Sequence, residues 1–393
     1  MNKARSLTEL VLIGNYPPDN QFSMRLYVEL LADAMMKQGL RVTVYTPRVY
    51  VGRWARSTNK GLGKWLGYVD KYVLFPLKLR ELARSASPGT VFQICDHSNA
   101  MYANPLRGRP VIVTCHDLLA VRGALGDPDA YCAASRAGRV LQHWILKNLA
   151  EIPFAACVSD FTRSDLLRLT KRRSGLSTRT ILSPANCHFQ SLTTAQATEI
   201  LRLEGISINQ PYILHVGSNL PRKNRVLLFR VLFELREKWP DLIAVFVGSD
   251  FSESERAVLE RTSSESRVRL LGRVSVRALN ALYCGAHAMI FPSFAEGFGW
   301  PVLEAQFSGC PVLSGNRTSL PEVLGAGGLL FECDDEIGMA SALLELKENA
   351  GLREELISRG HQNTLRFRLE PWVQAYLNLY KDCLADNSNG HAA

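Results

Sequence analysis

Two glutamates, Glu296 and Glu304, stand eight positions apart in "FPSFAEGFGWPVLEAQFSGCPVL" (291–313), with a Gly-Phe-Gly turn and Pro301 between them. Proline in a first helical turn loses nothing, because its missing N–H would have no partner there. A helix therefore starts near Trp300, leaves "EGFG" as a loop with its amides exposed to a ligand, and carries Glu304 about one turn in. Two carboxylates so placed can accept hydrogen bonds from different hydroxyls of one polyol. The same spacing fits a turn residue and a surface glutamate that complements the helix dipole. Spacing alone leaves the two readings level.

Three other places carry chemistry. "YILHVGSNLPRKNRVLLF" (212–229) ends a strand in a Gly-Ser-Asn turn and sets Arg222 and Lys223 at the start of a helix. Cations are unfavourable beside a helix N-terminus, so an anion such as a pyrophosphate is expected to bind there, with the arginine fork as a bidentate grip. "VTCHDLLAVRG" places His116 straight after a strand, where it can donate to a substrate hydroxyl or serve as a structural histidine; Asp117 beside it suits a cap. "GDPDAY" (126–131) contains a D-x-D triplet of the kind that holds metals in another class of sugar transferases. Its Asp127-Pro128 reads instead as an N-cap followed by proline, and no metal is expected.

These residues need a scaffold that delivers them to strand ends. Apolar runs at 9–14, 41–46, 90–95, 110–115 and 154–159 form one series, and runs at 212–217, 242–248, 268–272, 287–292 and 311–314 a second. They are apolar throughout, as parallel strands covered on both faces must be. Helical patterns such as 24–38, 224–238 and 276–284 fall between them. Strand–helix alternation predicts a doubly wound α/β architecture of two Rossmann-like domains facing a central cleft. In such sheets ligands lie beyond the carboxyl ends of the strands. The polar segment 183–211 reads as the linker. It gives an N-terminal domain at 1–183, a second domain at 184–368, a helix from 369 that returns to the first domain, and a disordered tail in "DNSNGHAA".

Composition sets outer limits. With 393 residues, 47% hydrophobic, the chain is too long for one ordinary core, and no run is long and apolar enough to span a bilayer. The start reads as a first strand, not as a signal peptide. Nine cysteines without a C-x-x-C pair argue against disulfide and zinc frameworks and favour a reducing cytoplasm. A net charge of +9 favours anionic partners, and between Arg48 and Arg84 nine Lys/Arg face only Asp70 and Glu81. That segment interleaves Trp54, Trp65, Tyr68, Tyr72 and Phe75 with its cations. It fits a domain-edge helix with core aromatics, a peripheral contact with the anionic inner face of a membrane, or single-stranded nucleic acid, which is the least expected of the three.

Taken together, these motifs resemble glycosyltransferase family 4, the retaining, nucleotide-sugar-dependent enzymes of GT-B fold. "FPSFAEGFGWPVLEAQFSGCPV" resembles the family's E-x7-E signature, "GSNLPRKN" its pyrophosphate loop, "LLGRVSVRALNALY" its nucleobase turn, "SLPEVLGAGGLLF" the segment after the signature, and "VTCHDL" its strand-end His-Asp. The resemblance implies that Glu296 contacts the transferred sugar and Glu304 the ribose hydroxyls. Amides of Phe298 and Gly299 would bind sugar hydroxyls, and those of Val302 and Leu303 would face the phosphates. Arg222 and Lys223 would hold the pyrophosphate, Val274 would meet the base through its backbone, and His116 would touch the donor sugar; Ser218 and Gly297 complete the set. The implied activity is hexosyl transfer, from UDP-glucose first and GDP-mannose second, to a polysaccharide or lipid-linked hydroxyl, with no cofactor and no metal. Sugar-nucleotide epimerases and phosphorylases share the fold, and a non-catalytic membrane-associated nucleotide-binding protein is a further alternative. Many members carry a Gly-Gly turn after the first strand. Here "YPPDNQFSMRLY" has none, and Ser23 stands in that region.

Overall fold

A computed structural model describes residues 6–55, 61–171, 177–185 and 188–389. The chain divides into two compact units: Met1–Leu125 with Ala134–Asn186 and Leu369–Ala393, and Gly126–Ala133 with Cys187–Arg368. Each is an α/β body around one parallel sheet. Among the described residues no helix is long and apolar enough to cross a membrane.

The first unit holds β1 (Glu9–Ile13), β2 (Arg41–Tyr45), β3 (Thr90–Ile94), β4 (Val111–Cys115), β5 (Phe154–Cys157) and β6 (Ser177–Thr180), in the order β2-β1-β3-β4-β5-β6. β3, β4 and β5 are buried along their whole length, which explains their unbroken apolar runs. Periodicity missed β6, "STRT", because an edge strand has one partner and tolerates polar side chains. The helix Leu369–Asn389 belongs to this unit and buries Trp372, Tyr376 and Tyr380. Its tyrosines find partners on the helix Phe22–Lys37 and on β3. Tyr376 meets the Tyr27 hydroxyl, and Tyr380 donates to Gln93, whose Nε2 donates to Thr114 Oγ1 at 2.8 Å. Every group in that buried ladder is satisfied, as burial demands. The helix also corrects the expected disordered tail: residues 386–389 are helical, and 390–393 lie outside the described residues.

The second unit holds β7 (Tyr212–Gly217), β8 (Ile243–Gly248), β9 (Val268–Leu270), β10 (Ala288–Phe291), β11 (Val312–Gly315) and β12 (Leu329–Phe331), in the order β12-β11-β10-β7-β8-β9. The chain winds outward from β7 through β8 to β9, then crosses back to β10 and winds the other way. β7 and β10 are therefore neighbours at the topological switch point, where the loops leaving adjacent strands part and open a crevice. Three-residue β12 escaped the sequence reading because it is too short to show a period.

Two further expectations need correction. Segment 183–211 is not a plain linker: Thr194–Leu203 is a helix, started by a reciprocal capping box between Thr193 and Gln196. The T-x-x-Q signal was legible in the sequence. Residues 186–187 of that segment lie outside the described residues. The helix expected over 224–238 runs only from Val226 to Glu234, because Asn224 takes left-handed backbone at φ 49°.

Candidate active site

The site is built at the carboxyl ends of β7 and β10. Beyond β7, Ser218 lies half-buried in the loop, and Arg222 and Lys223 sit on a single turn, Pro221–Lys223, one step before the helix. Beyond β10 come Ala295, Glu296, Gly297, Phe298 and Gly299, all buried. Hydrogen bonds lace the two loops together. Phe294 N–H donates to the Arg222 carbonyl at 2.8 Å, and Asn224 Nδ2 donates to the carbonyls of Pro292 at 3.2 Å and Cys333 at 2.6 Å.

Glu296 is the centre of this arrangement. Its Oε2 accepts from Arg222 Nη1 at 2.7 Å and its Oε1 from Lys223 Nζ at 2.6 Å. Arg222 Nη1 also reaches the Ala295 carbonyl at 2.9 Å. Burial by itself would raise the Glu296 pKa, but Lys223 and then Arg222 outweigh it and hold the carboxyl below its usual range. The misfit of two cations at this turn is already countered in part by a carboxylate from the neighbouring loop. Two cations and one carboxylate leave the cluster with a charge of +1, still suited to a diphosphate.

The turn that carries Glu296 is held from a third direction. Glu296 N–H donates to Thr318 Oγ1 at 3.0 Å, and the Ser319 hydroxyl reaches the carbonyls of Glu296 at 3.0 Å and Phe298 at 2.9 Å. Sequence reasoning assigned no role to Thr318 or Ser319; the available signal was a Thr-Ser pair just ahead of Pro321. Gly299 takes φ 105°, and a Cβ there would lie 2.8 Å from Leu320 Cδ2, so only glycine fits. From it starts the helix Trp300–Phe307, with Pro301 in its first turn as expected. The Val302 amide corrects one expectation: it donates to the Gly299 carbonyl at 3.0 Å and so is engaged within the turn, not turned outward to a phosphate. Leu303 follows it, fully buried.

Glu304 lies on the same helix, half-buried, where its Oε2 accepts from the Tyr283 hydroxyl at 3.0 Å. Burial lifts its pKa to about 7, and the Tyr283 hydrogen bond opposes that only weakly. Glu296 and Glu304 are therefore electrostatic opposites: one is fixed as an anion, the other poised to titrate. Tyr283 comes from the helix Val276–Gly285, which follows the loop containing half-buried Val274. Beneath the site, His215 on β7 bonds through Nδ1 to the Ile290 carbonyl at 3.1 Å, and burial drives its pKa down to about 3. It stays neutral and ties β7 to β10.

His116 belongs to the first unit, at the end of β4. Its Nε2–H donates to the Cys95 carbonyl at 2.9 Å, and the Tyr27 ring packs edge-on at 4.7 Å. Burial lowers its pKa, so the ring is neutral and keeps its lone pair on Nδ1. Its Nε2–H is thus engaged within the protein and not held ready for a substrate oxygen. Asp117 accepts from Leu119 N–H at 3.0 Å, an Asx-turn bond just ahead of the helix Leu119–Ala124, whose N-cap is Leu118 and not the expected Asp117. In "GDPDAY", Asp127 accepts from Asp129 N–H at 3.0 Å and caps the turn Pro128–Ala130. Among the described residues no cluster of three His, Cys, Asp or Glu side chains could hold a metal ion. Ser23 is an exposed residue in the first turn of the helix Phe22–Lys37.

The basic segment is part core and part surface. Phe75 is buried in the core and Tyr72 packs against it, while Trp54 is 73% and Trp65 62% exposed. Buried Asp70 anchors the segment by accepting from Val51 N–H, Gly52 N–H and the Tyr16 hydroxyl, each at 2.9 Å. Residues 56–60 lie outside the described residues.

Residues 197–363, which make up most of the second unit, match the family model described as Glycosyl transferases group 1. Over 247 residues the chain is 31% identical to O-antigen chain mannosyltransferase B of Escherichia coli, covering 62% of this chain and 64% of that protein. It thus spans less than two thirds of that relative's length. Over 291 residues it is 26% identical to D-inositol 3-phosphate glycosyltransferase of Corynebacterium glutamicum, covering 71% of this chain and 68% of the other. Among solved structures, sucrose-phosphate synthase from Thermosynechococcus elongatus superposes with a TM-score of 0.75 at 18% identity, over 96% of this chain and 100% of that one. Anabaena HepE in complex with UDP and glucose gives 0.69 at 15%, over 94% and 98%. At such identities these structures establish the shared GT-B fold class.

Proposed function

We propose that this protein transfers a hexosyl group from a nucleotide-sugar to a hydroxyl of a polysaccharide or lipid-linked acceptor, with retention of configuration. The observation that carries this reading is the Arg222–Glu296–Lys223 cluster at the β7/β10 switch point. A diphosphate leaving group gains negative charge as the glycosidic bond stretches. Fixed cations beside it lower that barrier without reorganising, which is how electrostatic catalysis works in a shielded site. Glu296 orients both cations, and the amides of Phe298 and Gly299 supply donors for sugar hydroxyls. Glu304 is suited to a ribose diol, because an ionised carboxylate can accept from two neighbouring hydroxyls. In this reading Val274 meets the base through its backbone and Ser218 completes the donor-binding set. No metal enters this scheme.

The names of the relatives move the donor from UDP-glucose toward an activated mannose such as GDP-mannose, since two are O-antigen chain mannosyltransferases. A cytoplasmic enzyme of such a pathway works beside a membrane. Exposed Trp54, Trp65, Val73 and Leu77, set among Arg53, Lys64 and Lys78, suit an anionic lipid surface. The test is thermal stabilisation by GDP-mannose, UDP-glucose and their nucleoside diphosphates, repeated with Arg222→Ala and Lys223→Ala. Stabilisation by one donor that both substitutions weaken supports the reading, and no stabilisation by any donor refutes it. Salt-sensitive co-sedimentation with phosphatidylglycerol vesicles tests the lipid contact, and no binding at low salt removes it.

A further inference from the structure

Residues 126–133 fall within the run of the first unit's sequence but pack with the second unit. Their turn Pro128–Ala130 is closed by Tyr131 at φ 48°, left-handed backbone that is uncommon for a bulky side chain and costs energy. Tyr131 is held there by Phe294. The two rings stack face to face, 4.5 Å apart and 9° from parallel. Phe294 is itself fixed to the site: its N–H donates to the Arg222 carbonyl at 2.8 Å, the carbonyl of the next residue accepts from Arg222 Nη1, and Glu296 follows one residue later. Tyr131 nevertheless remains 39% exposed, although one face of its ring lies on Phe294.

Covering Phe294 does not by itself require a strained tyrosine; an apolar residue on ordinary backbone would do. What the arrangement adds is a rigid, open aromatic face beside the loop of Glu296. A pyranose has a rim of hydroxyls and a face of C–H groups. Carboxylates and amides recognise the rim, and an aromatic ring matches the C–H face. We propose that Tyr131 is a sugar-binding residue of the donor site, stacking its open face on the pyranose that is transferred. This rests on the hexosyl-transfer reading above.

The experiment compares wild type, Tyr131→Gly and Tyr131→Phe by titration calorimetry with GDP, GDP-mannose, UDP and UDP-glucose. Glycine suits φ 48°, so Tyr131→Gly should melt no lower than wild type, and a loss of binding cannot be ascribed to unfolding. The expected result is that the advantage of the sugar nucleotide over its nucleoside diphosphate falls about tenfold in Tyr131→Gly, the upper end of what an aromatic face contributes. Tyr131→Phe should keep the advantage, and nucleoside diphosphate affinity should not change. An undiminished advantage in Tyr131→Gly overturns the proposal, as does an equal loss for both ligands, which would mark a structural support. Tyr131→Phe behaving like the glycine variant overturns stacking as the cause. If wild type binds no nucleoside diphosphate at all, it is the donor-site reading that fails.

Discussion

Donor binding should depend on pH through Glu304, and the dependence can be worked out in advance. Its carboxyl has a pKa of about 7 because it is buried with a single opposing hydrogen bond from Tyr283. Accepting from both hydroxyls of a ribose requires the ionised form. At pH 6 about one molecule in ten is ionised and at pH 8 about nine in ten, so the Kd of a nucleotide-sugar should fall about tenfold across that interval. A nucleotide-sugar is the right probe, because its diphosphate diester has no proton that titrates there. Glu304→Gln cannot titrate and should give a flat profile. The same shift sets a stability trend of known sign. The folded pKa lies above the usual 4.5, so the group's contribution is full below 4.5 and is lost as pH rises through about 7. The loss amounts to about 3 kcal/mol at most, so Glu304→Gln should gain on wild type in denaturant melts at pH 8 and not at pH 4.5. His116 and His287, both held below the usual imidazole value, titrate at lower pH and are common to both proteins. Parallel profiles for wild type and Glu304→Gln, in affinity and in stability, would refute the reasoning.

Three other outcomes are expected. Glu296→Ala takes the carboxylate from between two cations and should cost about 3–5 kcal/mol in urea unfolding at pH 7, partly restored by inorganic pyrophosphate; a cost under about 1 kcal/mol would show that the cluster is not what holds these loops. Because the folded pKa of Glu296 is depressed, its contribution is present above the usual glutamate value and should fade as pH drops through the folded one. Gly299→Ala forces a Cβ against Leu320 at φ 105° and should lower stability by about 1–3 kcal/mol, and a melting curve superposable on wild type would contradict that geometry. Hydrolysis or transfer of the donor sugar, followed by released nucleoside diphosphate, should survive EDTA; loss that manganese restores would return Asp127 and Asp129 to consideration as metal ligands.

The sequence by itself showed ten of the twelve described strands and where the helix at Trp300 starts, since periodicity and Pro301 are local properties of the chain. It also marked Glu296, Glu304, Arg222, Lys223 and His116 as strand-end or helix-start residues. It could not show β6 and β12, whose polarity or brevity is tolerated only because a neighbouring strand supplies the pairing. Charge states likewise waited for the tertiary structure. Glu296 and the Arg222–Lys223 pair lie more than seventy residues apart and become one ionic cluster only when β7 and β10 pair at the switch point. Glu304 titrates near neutrality while Glu296 does not, although the two share one short segment. Tyr131 reaches Phe294 by a detour that no local pattern encodes. Backbone geometry follows from neighbours in sequence, whereas desolvation and Coulomb energies depend on neighbours in space, and in this protein those energies set the properties of the site.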